Sequence, residues 1–359
     1  MSTETALMGK KSEKALIARE KTAMKSLSRR KRREGWIGLA YALPALALLI
    51  LFRYWPLLFG FWMSFWKWGY VPERFVGLDN YTRIFTEELW VNVPGTGWQP
   101  GDIGQSLLIT IYYAIGTIPA TLFISFSIAY VLFYLSKGKT VLRIIFFLPY
   151  ITSHVAAAIV FKWIFHPNVG LANGILEGIG LTRQQWLTDP DPILVKIMTA
   201  LGGSWPGWVP TVFGGPTLAL CVIIIFSIWN SLGFQIVVFL VGLSQIPNDL
   251  NEAARMDGAG TWTIIRRITL PLLSPTWFML LIISVIGAFE SFNAFYVFSG
   301  GEGGPLGSTM SLPLYIFRSF YVFGQVGYAS AVSMLLFVIL LALTWLQIRF
   351  GEKKVHYLH

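Results

Sequence analysis

Three scarcities set the first limits on this chain. One cysteine, Cys221, stands in 359 residues, so neither an intramolecular disulfide nor a cysteine metal site is available. Only 18 residues are acidic and four are histidine, and they form no clustered set of the kind a membrane-face glycosyltransferase or a metal enzyme needs. A phosphate-binding loop is missing too. Gly138-Lys139-Thr140 has the right ending, but that motif needs a glycine five positions before Gly138, and Phe133 stands there. The chain is therefore read as no enzyme and as binding no cofactor of its own.

What the chain has is apolar length. Hydrophobic residues make up 55% and charged residues 13%, and the mean hydropathy is +0.60, outside the soluble range. A transmembrane helix needs about 20 mainly apolar residues, and six stretches qualify: 36–55, 106–135, 141–165, 217–243, 275–298 and 328–348. The first follows a basic segment, as a signal peptide would. It is too long and too aromatic for a cleaved core and lacks a small-residue cleavage site, so it reads as a retained span. The expected fold is all-α and integral to the membrane, with six transmembrane helices.

The basic excess is one-sided. Eleven Lys and Arg lie in the first 34 residues, with Arg29 to Arg33 as an unbroken run. Lys137, Lys139 and Arg143 follow, then Arg255, Arg266 and Arg267, then Arg349, Lys353 and Lys354, for 20 of the 28 in all. This bias predicts a multi-pass protein with both termini cytoplasmic. The net charge of +10 is assigned to topology and to anionic lipid headgroups rather than to nucleic acid. Three parts follow: a basic cytoplasmic segment 1–35, a six-span domain 36–350 and a cytoplasmic tail 351–359.

One polar stretch interrupts the apolar runs. Pro247, Asn248 and Asp249 open a helix, Glu252-Ala253-Ala254 lies in its middle, and Asp257, Gly258 and Gly260 close it ahead of Ile268, Leu270 and Pro271. Two alanines leave a thin face that another protein can approach, and Glu252 and Asp257 offer charge to a basic partner. Glu-Ala-Ala, three residues, Gly258, nine residues, Ile268, one residue, Leu270-Pro271 resembles the "EAA" loop of the permease subunits of binding-protein-dependent ABC importers of the maltose and sugar type. Further stretches are similar to the same family: Gly77-Leu78-Asp79-Asn80-Tyr81, the run from Arg143 to Tyr150, Trp186-Leu187-Thr188-Asp189-Pro190, and the glycines before Pro305. Residues 193–216 depart from it as an extra outer element that touches a solute-binding protein or the bilayer surface, or re-enters the membrane.

The resemblance implies that Glu252, Ala253, Ala254, Asp257 and Gly258 form a coupling helix seated on an ATP-binding subunit. It implies as partners a second related permease, two ATP-binding subunits that carry ATP and Mg, an extracytoplasmic solute-binding protein and the lipid bilayer. The implied setting is a bacterial or archaeal cell (inner) membrane, and the implied mechanism is ATP-driven alternating access. Permeases for glycerol-phosphate esters or amino acids are the alternatives within the family.

Polar residues inside the spans mark the pathway. An ionisable side chain in a span costs about 2.5 kcal/mol or more, so it should face protein or water. Glu290 lies 15 residues past Pro275, and Asn293 and Tyr296 follow at helical spacing, so the three are expected on one stripe. Asn230 sits at similar depth in the fourth apolar run, and Gly233, one turn on, is expected to leave space beside it. Donors, acceptors and an aromatic ring suit a sugar, although Asn and Ser also bind neighbouring spans together at about 0.6 kcal/mol each. In the maltose-type permeases polar residues of this region hold the sugar, and Glu290 and Asn293 fall where two asparagines would. His154 reads as a packing residue. A secondary transporter with Glu290 as its proton-linked acid would explain that residue but not the Glu252 loop.

Overall fold

The computed structural model describes residues 34–94, 97–135 and 137–351. The basic segment before Glu34 and the tail carrying Lys353 and Lys354 fall outside them. The chain divides into two units, one ending at Trp62 and one beginning at Met63.

The described part of the first unit is one helix, α1 (Glu34–Met63, its last residue in the second unit), with mean hydropathy 2.1 over its most apolar window. Residues 34–59 are all exposed, Tyr41 and Phe52 by 85% and 71%. A helix apolar on every side takes lipid as its solvent. Its backbone widens by one residue per turn at Ile50–Tyr54, just before Pro56. Proline has no N–H to return to the preceding turn, and the helix relaxes there.

The second unit is built on long apolar helices: α2 (Asp102–Tyr134), α5 (Leu218–Ser244), α7 (Ser274–Phe289) continuing after a gap as α8 (Asn293–Ser299), and α9 (Val326–Gly351). Between α2 and α5 stand α3 (Lys139–Ile151) and α4 (His154–Ile164), bent 94° from each other. The straight span expected over 141–165 is thus a broken one. Thr152 is extended, and its backbone N–H and its hydroxyl both bond to Leu148 O, at 3.2 and 2.8 Å, which ends α3. Among the described residues five helices are long and apolar enough to cross a membrane, six if the bent pair counts as one span.

Helix α5 lies along α2 and under α3. Phe226, Phe239, Ile223 and Leu280 are fully buried there, and Phe126 meets Phe239 edge-on at 5.7 Å and Trp277 at 5.4 Å. Gly233 is the crossing point of α3 and α5. A Cβ on it would lie 2.7 Å from Phe146 O and 2.9 Å from Phe147 Cα. Only glycine lets the two backbones come this close.

The expectation of an all-α chain needs one correction. Two antiparallel hairpins form at one end: β1 (Trp66–Trp68) with β2 (Pro72–Phe75), and β3 (Trp90–Val93) with β4 (Gly97–Pro100). Both carry aromatic residues, and the second adds Val91 and Val93, residue types that favour strands. The family-like Asn80 braces the first, donating from Nδ2 to Ser64 O at 2.8 Å and Trp66 O at 3.1 Å, and Tyr81 Oη pairs with Ser64 Oγ at 2.7 Å. Arg83 then ties this end to α9. It donates to Glu88 Oε1 at 2.8 Å and Gln325 Oε1 at 3.2 Å, and its guanidinium lies 4.2 Å over the Tyr328 ring.

Residues 193–216 form a closed excursion at the same end. Ile193 N donates to Pro216 O at 3.0 Å, Pro192 bridges Thr217, and a helix Ile193–Ala200 and a tight turn Thr211–Gly214 lie between. Phe213 stacks on Trp90 of the second hairpin at 6.1 Å, and Lys196 pairs with Asp189. The Trp186 motif plugs the end of α4. Trp186 Nε1 donates to the buried Asn173 Oδ1 at 2.8 Å, and its ring meets Phe165 edge-on at 5.3 Å.

Two substitutions test this packing. Gly233→Ala is expected to destabilise the protein by about 1–3 kcal/mol as α3 is pushed from α5, whereas Gly174→Ala, with open space around it, leaves thermal unfolding in detergent unchanged. Asn80→Ala should cost about 1–3 kcal/mol because two carbonyls lose their donor. An unfolding temperature within error of wild type for either Gly233→Ala or Asn80→Ala would contradict its assigned role.

Candidate functional site

Helices α2, α3, α4, α5 and α7 enclose a cavity of about 330 Å³ at the two places where spans break. The first break, between α3 and α4, leaves the Pro149 carbonyl without an intrahelical donor. Asn230 supplies one, donating from Nδ2 at 3.0 Å. Asn230 therefore lines the cavity and also holds the break in place.

The second break is at Glu290–Phe292, between α7 and α8. Glu290 caps the C-terminal end of α7, its N–H bonded to Ile286 O at 3.0 Å. Glu290, Ser291, Phe292 and Asn293 all face the cavity. Glu290 and Asn293 are exposed, and the Glu290 carboxylate has no hydrogen bond or ion pair among the described residues. Ser291 Oγ donates to Tyr113 Oη at 3.3 Å.

Two expected pathway residues lie elsewhere. Tyr296 was placed on one stripe with Glu290 and Asn293, which assumes an unbroken helix. The gap at 290–292 removes that geometry, and the Tyr296 ring packs outside the cavity, 5.3 Å from Phe292 and 5.5 Å from Phe317. Gly233 opens no space beside Asn230, because the backbone of α3 fills it. His154 stands at the start of α4 with its ring edge-on to Phe226 at 4.9 Å, and it lines the cavity as well.

Several lining residues carry a signal that the search for isolated polar groups passed over. Tyr113, Thr117 and Thr121 recur every four residues on α2, as do Ser227, Ser231 and Gln235 on α5. That period puts each set on one helix face. Gln235 Nε2 donates to Ser284 Oγ at 3.1 Å, which joins the α5 stripe to α7.

The second candidate site is helix α6 (Asn248–Met256), the connection from α5 towards α7. Asn251 is its buried residue and donates to Tyr134 Oη at the end of α2, at 3.4 Å. Glu252, Ala253 and Asp257 are exposed, Met256 is 89% exposed, and Ala254 is half-buried. Gly258 ends the helix at φ +79°, a left-handed conformation suited to glycine. Gly258 N bonds to Arg255 O at 3.0 Å and Ala259 N to Ala254 O at 2.9 Å, so two carbonyls of the last turn are satisfied without a side chain. All five expected coupling residues thus lie on one short helix and the turn that ends it, four of them exposed and Ala254 half-buried.

Lys137 and Lys139 follow the end of α2, Arg255 lies in α6, and Arg266 and Arg267 stand between α6 and α7, while the hairpins and the 193–216 excursion sit beyond the opposite ends of α2 and α5. Among the described residues no group of three or more His, Cys, Asp or Glu is placed to hold a metal ion.

Known proteins agree with this architecture. The chain is 32% identical over 339 residues to the probable ABC transporter permease protein YesP of Bacillus subtilis (strain 168), covering 93% of this chain and 96% of that one. It is 31% identical over 328 residues to the trehalose/maltose transport system permease protein MalF of Thermococcus litoralis, covering 90% and 97%. The crystal structure of a bacterial ABC transporter that imports the acidic polysaccharide alginate shares the fold, with TM-score 0.69 and 23% identity over 89% of this chain and 96% of that chain. Residues 121–354 match the family model of the binding-protein-dependent transport system inner membrane component. With multiple apolar spans, a polar cavity at two span breaks and a relative matched along nearly its whole length, this chain belongs to that family of membrane-embedded transport subunits.

Proposed function

We propose that this chain is one permease of an ATP-driven importer and forms half of the translocation pathway for a sugar or sugar-like solute. It crosses the membrane six times, the bent α3–α4 pair counting as one span, with both termini and α6 in the cytoplasm. A second, related permease completes the pathway. Two ATP-binding subunits dock on the inner side, and a solute-binding protein delivers solute to the hairpin side.

One observation carries the reading. The exposed helix α6 is the covalent link between α5, which bears Asn230, and α7, which ends at Glu290. Force applied to α6 reaches both walls of the cavity, and Asn251 passes it to α2 as well. Closure of an ATPase pair around Glu252, Ala253, Ala254 and Asp257 would swing these helices as rigid bodies and open the cavity to alternate sides. Gly258 ends the helix in its left-handed turn.

The sugar assignment rests on the lining and on kinship. Hydroxyls of Tyr113, Thr117, Ser227 and Ser291, the carboxamide of Asn293 and the ring of Phe292 offer the hydrogen bonds and flat faces that a sugar ring uses. One relative is named for trehalose and maltose, and a protein of the same fold for alginate. The Glu252 helix also favours an ATP-driven importer over an ion-gradient carrier. Uptake in vesicles should depend on internal ATP and survive an uncoupler.

Glu252→Lys combined with Gly258→Pro should abolish transport and co-purification of the ATP-binding subunit while the permease remains in the membrane. Unchanged uptake in that variant would count against α6 as the coupling element. Within the cavity, Asn293→Ala is expected to reduce transport with stability held within about 0.5 kcal/mol. Asn230→Ala should lower both, because the Pro149 carbonyl loses its donor. Equal losses of stability in the two variants would refute this division of roles.

A further inference from the structure

The charge of the cavity is unbalanced. Among the described residues that line it, Glu290 is the sole acid, and none is Lys or Arg. His154, the one other lining group that could hold a positive charge, faces the edge of Phe226 and has no carboxylate beside it in hydrogen-bond contact. The two basic side chains that touch the segment after the second break are already engaged at its far end. Lys162 Nζ donates to Val297 O at 3.4 Å and Arg318 Nη1 to Gly301 O at 2.9 Å.

The helix adds to the imbalance. Glu290 is the C-terminal cap of α7, a helix of 16 residues. The dipole of a helix places negative partial charge at its C-terminal end, where a carboxylate is normally disfavoured. Two negative sources therefore coincide in a cavity to which the described residues of this chain bring no Lys or Arg. A carboxylate at that helix end gains from a partner that brings positive charge.

We propose that Glu290 sets the charge preference of this pathway, and that its solute is a sugar bearing a protonated amine, which serves as counter-ion to the carboxylate. This rests on the cavity being a sugar pathway and narrows the solute class within it. The hydroxyl stripes of α2 and α5 hold the ring, and Glu290 selects the substituent. Neutral sugars fit less well because they hydrogen-bond to the carboxylate without cancelling its charge. Sugar acids and phosphate esters are repelled.

The test is direct binding to the intact importer, purified with its partner subunits into neutral-lipid nanodiscs. The probes are three labelled disaccharides: a glucosamine disaccharide with free amines, maltose and digalacturonate. Each is measured in sodium chloride and in choline chloride of equal ionic strength. Wild type should bind the amine most tightly and the acid least, with about tenfold or more between the extremes. Glu290→Gln should flatten the order, and Glu290→Lys should reverse its ends. Thermal unfolding of each variant confirms that it is folded, and Glu290→Asp, which keeps the charge, should retain the wild-type order.

Equal affinity for the three probes in wild type, or an order that persists in Glu290→Gln, overturns the charge preference. An amine preference present in one salt and lost in the other overturns it too, and reassigns the carboxylate to an inorganic cation. Wild type that binds none of the three overturns the sugar reading and this inference with it, whereas equal binding overturns this inference alone.

Discussion

Inside a bilayer every backbone N–H and C=O must find its partner within the protein, and the rest of this structure follows from how that demand is met. Helices without an internal proline meet it with their own bonds, and α5 and α9 are of that kind. The two interrupted spans do not, and both interruptions open on the same cavity. At the first, the Asn230 amide replaces the missing helical donor to Pro149. At the second, the freed segment lies beside hydroxyls from α2 and α5. Polar backbone is tolerated at this depth because it lines a cavity, and the cavity is useful because polar backbone is there.

This coupling explains why one residue can have two duties. Asn230 looks like a solute ligand by composition and like helix glue by spacing, and the geometry makes it a lining residue whose donor is already spent on structure. Gly233 shows the reverse case. Its missing side chain suggests open volume, yet the volume belongs to the crossing of α3 and α5. Small residues in spans are as often consumed by helix contact as by function.

The apolar spans, as stretches, and the glycine stop after α6 could be read from the chain because each depends on local chemistry: about 20 apolar residues and a left-handed glycine. The 94° bend was not readable, since Pro149 and Thr152 permit a break without requiring one. The gap at 290–292 was hidden for the same reason, and with it went the supposed stripe through Tyr296. The hairpins were hidden by their company. Trp90 to Pro100 has strand-forming residues, but glycines and prolines around them read as loop. The hydroxyl stripes of α2 and α5 were present in plain view at four-residue intervals and became meaningful only once a cavity faced them.

The excursion at 193–216 carries a consequence of its own. Its two ends meet in a single backbone bond, Ile193 N to Pro216 O at 3.0 Å, directly before the first turn of α5. A chain whose entry and exit points already touch can lengthen, shorten or lose what lies between them without moving the spans. Such a stretch behaves as a cassette. What a change of length there would disturb first is the stack of Phe213 on Trp90 and the pairing of Lys196 with Asp189, not the helices beneath.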